Sequence, residues 1–239
     1  MFSFFIADLH LDVSKSVEPY LNFINFLDDI HDECDTLYIL GDFFTYWYEH
    51  EGVDFYSKNP ALAALKEFSD SGKKINYIYG NRDFAAGRFL QEYSGADFLG
   101  EEMELQTSGG RVYLTHGDRF AKKDFRYAMW RWMIRSRLSS SIFRNLPVGY
   151  AIKLADSFKQ VGKKRPPMKT QLVEVMLESA KEFMEKGYDT VIMGHAHQNI
   201  AVEHGGPSKK KKIFVLDEFK YPGEFLVLEE NKFSYRSVG

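Results

Sequence analysis

The sequence predicts an α/β protein in which two mixed β-sheets pack as a sandwich flanked by helices. In the first part of the chain, short apolar runs bounded by turn residues alternate with amphipathic stretches of helical period. In the last part, short runs follow one another closely, which is typical of antiparallel hairpins. With 239 residues, 44% of them hydrophobic, the chain can bury one large core, so we expect a single domain over residues 1–239.

The individual elements follow from the same periodicities. We predict strands at 2–7, 36–40, 75–79, 102–106, 111–115, 189–193, 199–203, 212–216, 224–228 and 232–236. We predict helices at 18–31, 60–71, 84–93, 124–137, 149–159 and 168–186. The last helix is expected to begin beyond Pro166-Pro167, because the two prolines break a helix.

Five short motifs of Asp, His and Asn lie at or near the ends of predicted strands. They are Asp8-Leu9-His10, Gly41-Asp42, Gly80-Asn81-Arg82-Asp83, His116-Gly117-Asp118 and Gly194-His195-Ala196-His197. Taken singly, each has a plainer explanation, since a Gly-Asp pair is more often a turn or a helix cap than a ligand. Because ligands of open α/β sheets bind at the carboxyl ends of strands, the ordered set predicts a metal centre. The remaining histidines, His31, His50 and His204, lie in polar stretches and are expected to be solvated.

The donor types narrow the choice of metal. Carboxylate, imidazole and amide oxygen donors suit a borderline-hard divalent ion, so we expect Mn²⁺, with Fe²⁺ and Zn²⁺ as alternatives. The single Cys34 lies away from every His motif, which excludes a thiolate zinc site. Donors from five motifs are too many for one tetrahedral site and fit two ions that share a bridging carboxylate. Two ions about 3.5–4 Å apart serve in-line displacement at phosphorus.

The order and types of these motifs resemble the calcineurin-like metallophosphoesterases. The resemblance runs from residue 5 to residue 197, and it implies an α/β/β/α sandwich and a metal-dependent hydrolase. It also implies a ligand set for two ions: Asp8, His10, Asp42 and His197 for the first, and the bridging Asp42 with Asn81, His116 and His195 for the second.

The third motif is more specific. Many members of the superfamily have His after the Asn, whereas this chain has Arg82, followed by Asp83-Phe84. The motif is similar to that of the UDP-2,3-diacylglucosamine hydrolases of lipid A biosynthesis, which implies catalytic roles for Asn81, Arg82 and Asp42. Asp83 is expected to hold Arg82. The local motifs also imply substrate contacts for Trp47, Asp124 and Tyr127.

The function implied by this resemblance is hydrolysis of the pyrophosphate of UDP-2,3-diacylglucosamine to UMP and 2,3-diacylglucosamine 1-phosphate. The fork of donors on Arg82 suits a phosphate oxygen and the charge that develops on it. The chain departs from that family outside the metal ligands, at Gln198-Asn199 and at residues 216–219. Two alternatives stay open: a phosphoesterase for a soluble nucleotide or a dinucleoside polyphosphate, and a non-catalytic metal-binding scaffold, against which the complete ligand set argues.

Charge and aromatic residues single out residues 122–169. This segment has thirteen Lys and Arg against two Asp, a net charge of +11 in a chain of net charge −3. We predict a basic, aromatic helical insertion that forms a lid over the metal centre. Its cations would contact the substrate, and the candidates are Arg131, Lys163, Lys164 and Lys169. The alternative is that Trp130 and Trp132 are core residues beneath a solvated basic face.

The insertion also suggests partners. Tryptophans next to arginines at helical spacing are common in helices at a membrane interface, so we expect an amphiphilic nucleotide-sugar lipid substrate and an anionic membrane surface. No nucleic acid is expected, because no recognised binding module is present. The chain has no apolar run of 18 residues, no signal peptide and one cysteine. We therefore expect a cytoplasmic protein, peripheral on the inner face of the inner membrane.

Overall fold

The computed structural model describes residues 2–12, 16–50, 57–98, 100–120, 129, 132–133, 136–151, 153–154, 169–205 and 210–239. Its helices are α1 (Glu18–Ile30), α2 (Pro60–Asp70), α3 (Arg88–Ser94), α4 (Arg137–Asn145) and α5 (Lys169–Glu185). Its strands are β1 (Phe2–Ile6), β2 (Cys34–Leu40), β3 (Lys74–Ile78), β4 (Asp97–Phe98), β5 (Glu102–Thr107), β6 (Gly110–Thr115), β7 (Thr190–Met193), β8 (Ile200–His204), β9 (Lys211–Val215), β10 (Gly223–Glu229) and β11 (Lys232–Val238).

These strands form two mixed sheets. The first has six strands in the order β11-β10-β1-β2-β3-β4, and the second has five in the order β5-β6-β7-β9-β8. In the first sheet β1 to β4 are parallel, whereas β10 and β11 add as an antiparallel hairpin. In the second sheet β6, β7 and β9 are parallel, and β5 and β8 are antiparallel edges. The predicted pair of mixed sheets is confirmed.

The alternation of side chains along each strand decides how the layers pack. On β1, Phe4 belongs to the apolar cluster shared with α1, α2 and α3, whereas Phe5 belongs to the cluster between the two sheets. On β7, Ile192 faces the first sheet, and Val191 packs in a cluster with Met176 of α5. The layers therefore follow the order α/β/β/α. The apolar cluster between the two sheets packs them against each other, and this packing sets where their strand ends lie.

Several elements differ from the prediction. The strand β4 and the helix α4 were not expected, and α3 begins at Arg88 instead of residue 84. The helix predicted at 124–137 lies largely outside the described residues. Within them, Ser136 has an extended backbone (ψ 148°), and its Oγ accepts from the N–H of Ser139 at 3.1 Å, so it caps a new helix. The predicted helix 149–159 is described only up to residue 154, and residues 148–151 are helical.

In the described part of the chain, no helix is both long and apolar enough to cross a membrane.

Candidate metal centre

The five motifs meet at one edge of the sandwich, because the strands that precede them end there. Backbone hydrogen bonds join the motifs directly after the strands end. The N–H of Asp8 donates to Gly41 O at 3.0 Å, and the N–H of His10 donates to Asp42 O at 2.9 Å. In the second sheet the N–H of Gly194 donates to His116 O at 2.9 Å. Backbone hydrogen bonds thus fix the chain segments that carry these candidate ligands.

One group of donors consists of Asp8, His10 and His197. The Nε2 atoms of the two histidines lie 3.5 Å apart, and they lie 3.7 and 3.4 Å from Asp8 Oδ1, respectively. Asp8 is fully buried, and its Oδ1 has no hydrogen-bond partner. A buried carboxylate oxygen without a partner is costly, and a cation between these three donors would stabilise it. The three residues fit a divalent metal ion.

A second group consists of Asp8, Asp42 and His116, all of them buried. His116 Nδ1 donates to Leu40 O at 2.8 Å, which leaves the Nε2 lone pair to face the site. This Nε2 lies 3.7 Å from Asp42 Oδ2 and 3.2 Å from both Asn81 Oδ1 and His195 Nδ1. Here too the donors fit a metal ion.

The structure therefore brings together all seven residues that the family resemblance implies as ligands. The carboxylate shared by both groups is that of Asp8, whereas the resemblance gives the bridging position to Asp42. The assignment of each residue to one ion stays a prediction.

Backbone strain is concentrated on the candidate ligands. Residues other than glycine rarely adopt a positive φ, which costs roughly 1–3 kcal/mol where the conformation is sparsely populated. Among the described non-glycine residues with positive φ, five are candidate ligands: Asp8 (57°), His10 (49°), Asp42 (52°), His195 (71°) and His197 (52°). Strain of this kind persists where the surroundings impose it, so the strand ends turn these side chains toward one another at the expense of local stability.

Two glycines in the motifs are required by close approach. A Cβ atom at Gly80 would lie 2.1 Å from Asp42 Oδ1, and one at Gly194 would lie 2.7 Å from Asp8 Oδ2. Neither carboxylate could keep its position beside a larger residue. These glycines let the backbone of one motif pack against the carboxylate of another.

The electrostatics of the centre also indicate cations. Burial raises the pKa of Asp8 from 3.8 to about 8 and, together with the neighbouring charge of Asp83, raises the pKa of Asp42 well above its usual range. Asp83 and Asp118 are buried nearby. Several carboxylates in one desolvated region repel one another, and burying unpaired anions costs several kcal/mol each. Divalent ions would favour the ionised form of these carboxylates. The donor atoms and the negative charge of the centre therefore both fit divalent metal ions.

Arg82 and Asp83 differ from the expectation. Asp83 was expected to hold Arg82, but it is fully buried and accepts from the N–H groups of Gly80 (2.6 Å) and Phe43 (2.8 Å) and from the hydroxyl of Tyr77. Asp83 thus fixes the loops on either side of the centre. Arg82 is half-buried, and its backbone N–H donates to Asp42 Oδ1 at 2.7 Å. This hydrogen bond and the charge of Arg82 oppose the rise in the pKa of Asp42 that burial causes.

Two residues near the centre are placed differently from what the sequence indicates. Trp47 is fully buried, stacks on Phe44 with ring centroids 4.5 Å apart, and donates from Nε1 to Glu49 at 3.2 Å. In this structure Trp47 packs in the core, and its substrate contact stays a prediction. His50 was expected to be solvated, but only 6% of its surface is exposed. Its Nε2 donates to the carbonyl oxygen of Leu146, which lies far along the chain, and the local sequence carries no signal for this contact.

The insertion is only partly described. Asp124, Tyr127, Trp130, Arg131, Lys163 and Lys164 lie outside the described residues, and Lys169 is the first residue of α5, with no description of its side chain. Within the described part, Trp132 is 74% exposed and Leu138 is 70% exposed. The interpretation of Trp132 as a core residue is therefore wrong.

Hydrolysis assisted by divalent metal ions is the chemistry that this set of donors serves. The model of the calcineurin-like phosphoesterase family matches residues 4–199, which is most of the chain. The chain belongs to that family and is a metal-dependent hydrolase. The resemblance inferred from five short motifs is confirmed.

Several bacterial proteins have sequences similar to this one over most of the chain. A UDP-2,3-diacylglucosamine hydrolase of Ectopseudomonas mendocina (strain ymp) is 35% identical over 211 residues, which cover 86% of either chain. The protein of the same name from Pseudomonas aeruginosa (strain UCBPP-PA14) is 30% identical over 234 residues, or 95% of either chain. That of Azotobacter vinelandii is 29% identical over 231 residues, covering 96% of this chain and 95% of the relative.

Proposed function

We propose that this protein hydrolyses the pyrophosphate of UDP-2,3-diacylglucosamine to UMP and 2,3-diacylglucosamine 1-phosphate. The observation that carries the proposal is the similarity, over 86% or more of the chain, to relatives that bear the name of this activity. In the reaction, water adds to one phosphorus, the bond from that phosphorus to the bridging oxygen breaks, and the bridging oxygen leaves with the other phosphate. The two protons of the water pass to the two phosphate monoesters or, where these are fully ionised, to solvent.

The residues of the centre would hold two divalent ions, for which we propose Mn²⁺. The proposed ligands are Asp8, His10, Asp42, Asn81, His116, His195 and His197. When bound, such ions lower the pKa of water and polarise a phosphoryl oxygen. The side chains of His10 and His197 are 23% and 30% exposed, whereas Asp8, Asp42 and His116 are buried, so we propose that substrate enters from the side of these two histidines.

Arg82 would bind the pyrophosphate. Its backbone is held by Asp42 on one side and by the N–H of Trp47, which donates to Arg82 O at 3.2 Å, on the other. The fixed backbone sets where the Arg82 side chain begins, and its guanidinium offers a planar fork of donors. It would take the non-bridging oxygens of the pyrophosphate and the charge that develops as the bond breaks.

The insertion would bind the lipid part of the substrate. Several of its described large apolar side chains are exposed, which is costly in water and favours contact with acyl chains or with a membrane. They include Met129, Trp132, Met133, Leu138 and Ile142. Its net charge of +11 suits an anionic leaflet, so we propose a cytoplasmic protein that associates peripherally with the inner membrane. Asp124, Tyr127, Arg131, Lys163, Lys164 and Lys169 stay proposed substrate contacts.

A comparison of substrates tests the proposal. Purified protein with Mn²⁺ is assayed in parallel on UDP-2,3-diacylglucosamine in mixed micelles and on a soluble dinucleoside polyphosphate, and nucleotide products are separated by chromatography. We expect UMP from the lipid substrate at a far higher kcat/KM than any product from the soluble one. Preference for the dinucleoside polyphosphate would overturn the choice of substrate. Bound metal without hydrolysis of either would support a scaffold instead.

A further inference from the structure

The loop that follows β2 connects the candidate metal centre to the insertion. We call residues 41–50 the Asp42 loop, since the candidate ligand Asp42 lies near its beginning. His50 at its other end is buried although it lies in a polar stretch. Its Nε2 donates to the carbonyl oxygen of Leu146 at 2.9 Å, and Leu146 is the residue that ends α4. A side-chain donor of the loop thus satisfies a carbonyl at the C-terminal end of a helix, where intrahelical partners are lacking.

Aromatic contacts reinforce this hydrogen bond. Phe143 of α4 packs edge-on against Tyr48, with ring centroids 5.5 Å apart, and against the His50 ring at 6.2 Å. Edge-to-face ring pairs at such distances are favourable beyond the apolar area that they bury. Since α4 lies within the insertion predicted at 122–169, these contacts attach the insertion to the Asp42 loop.

The Asp42 loop is in turn fixed to the centre. Thr45 donates from its N–H to Leu11 O at 2.9 Å and from its hydroxyl to His10 O at 2.6 Å. Glu49 accepts from three N–H groups at the start of α3, those of Gly87, Phe89 and Leu90, at 2.8 to 3.1 Å. Thr45 and Glu49 thus fix the Asp42 loop in place. Because α4 contacts this loop, its position is set relative to the backbone that carries Asp42.

We propose that His50 is a positioning residue for the insertion: its hydrogen bond to Leu146 and its contact with Phe143 fix α4 relative to the metal centre. The fixed helix holds its exposed apolar side chains, Leu138 and Ile142, in a defined position relative to the Asp42 loop. The part of this inference that concerns acyl chains rests on the proposed function, whereas the attachment of α4 does not.

Hydrogen exchange of full-length protein tests the attachment. We compare His50→Ala with His50→Gln, whose amide N–H can still donate to Leu146 O. The control is His31→Ala, because His31 also has polar partners (Asp32 and Ser71) and an edge-on Phe68 at 5.9 Å, but it directly follows α1. Loss of one hydrogen bond and its ring contact should speed exchange in α4 about tenfold in His50→Ala. In His50→Gln the exchange should return most of the way to the wild-type rate, and the control should not change it.

Two outcomes of this experiment would overturn the inference. One is exchange in α4 that stays at the wild-type rate in His50→Ala. The other is exchange that rises equally in α4 and in the sheets, because His50 would then stabilise the fold as a whole.

Kinetics with the lipid substrate give an independent readout. With α4 displaced, KM should rise about fivefold in His50→Ala while kcat changes less than about twofold, since the donors of the metal centre are untouched. A fall in kcat with unchanged KM would contradict a positioning role for substrate binding. Wild-type protein that does not hydrolyse the lipid substrate would refute the proposed function, and the exchange data would still decide whether His50 fixes α4.

Discussion

The candidate metal centre and the insertion are built in opposite ways. The centre lies at the ends of five strands, its carboxylates are buried, and its backbone is strained at five candidate ligands. The described part of the insertion instead exposes large apolar groups, such as Trp132 and Leu138, and its helix α4 contacts His50 and Tyr48 of the Asp42 loop. The contrast suggests a division of work, in which the sheet edge performs the chemistry and the insertion selects what is presented to it. Changes in the two regions should then separate kcat from KM.

The largest effect should come from removing a shared carboxylate. We expect Asp42→Ala to lose both metal ions together and to lower turnover by several orders of magnitude, because a bridging ligand serves both sites. Metal analysis of the purified variant, alongside its kinetics, checks this result. Asp8→Ala is the informative partner, since Asp8 is the carboxylate common to both donor groups.

The control for both variants is Asp70→Ala, an exposed carboxylate on α2, which should retain two metal equivalents. Two equivalents retained in Asp42→Ala would end its assignment as the bridge. If only Asp8→Ala lost both ions, the bridging role would pass to Asp8.

A pH dependence of stability should follow from the burial of Asp8. In the metal-free protein the pKa of Asp8 is raised from 3.8 to about 8, so the folded state keeps a proton that the unfolded state releases. The contribution of Asp8 to stability is therefore fully present below pH 3.8 and is lost as the pH rises toward about 8. Adding Mn²⁺ should reverse the trend, because metal binds the ionised carboxylate.

Thermal unfolding in EDTA at pH 5 and at pH 8 measures this dependence. The drop in Tm between the two should be smaller in Asp8→Asn than in the wild type, since the amide does not titrate. Equal drops in the two proteins would show that Asp8 is not the group responsible.

The sequence predicted the two regions unequally well. The candidate ligands follow short apolar runs, and such a run is a local property of the sequence, so the strands and the converging edge could be predicted without a structure. The positive φ of His195 and the choice of Gly80, Phe43 and Tyr77 as donors to Asp83 depend on how the strand ends meet. Local sequence patterns carry no information about how the strand ends contact one another.

His50 shows the same limit for the insertion. Its burial depends on Leu146, which lies 96 residues further along the chain. A polar neighbourhood in sequence predicts solvation, and only the tertiary contact overrides it. The boundary at Ser136 was not predicted. Helical periodicity favoured one helix over 124–137, whereas Ser136 has an extended backbone and is the N-cap of a new helix.

A smaller effect, confined to turnover, is expected for Arg82. Arg82→Ala should keep both metal ions and the wild-type Tm, because the contacts that fix this residue are made by its backbone. The kcat with the lipid substrate should fall about a hundredfold, the scale of losing one donor to a developing charge. Arg88→Ala, an exposed arginine on α3, is the control. A normal rate for Arg82→Ala would refute its role, and loss of metal would assign it to the structure of the centre.

The smallest effect should come from the exposed apolar residues of the insertion. Replacing Trp132 and Leu138 with Ser removes no core packing, since both are largely exposed, so Tm should stay at its wild-type value. Each buried acyl methylene contributes about 0.8 kcal/mol, so losing contact with two or three of them should weaken binding of the lipid substrate about tenfold or more. The matched control is Leu21→Ser, an exposed leucine on α1. Vesicle sedimentation and kcat/KM are measured for each variant.

The comparison of two substrates decides the interpretation. If the insertion binds the acyl part of the substrate, kcat/KM should fall by a larger factor for the lipid substrate than for bis-p-nitrophenyl phosphate, which has no acyl chain to contact. Binding to vesicles that contain anionic lipid should weaken in parallel, and more so at high salt, where charge attraction no longer compensates. An equal fall with both substrates would instead show that these residues support the metal centre itself, and the division between the two regions would then fail.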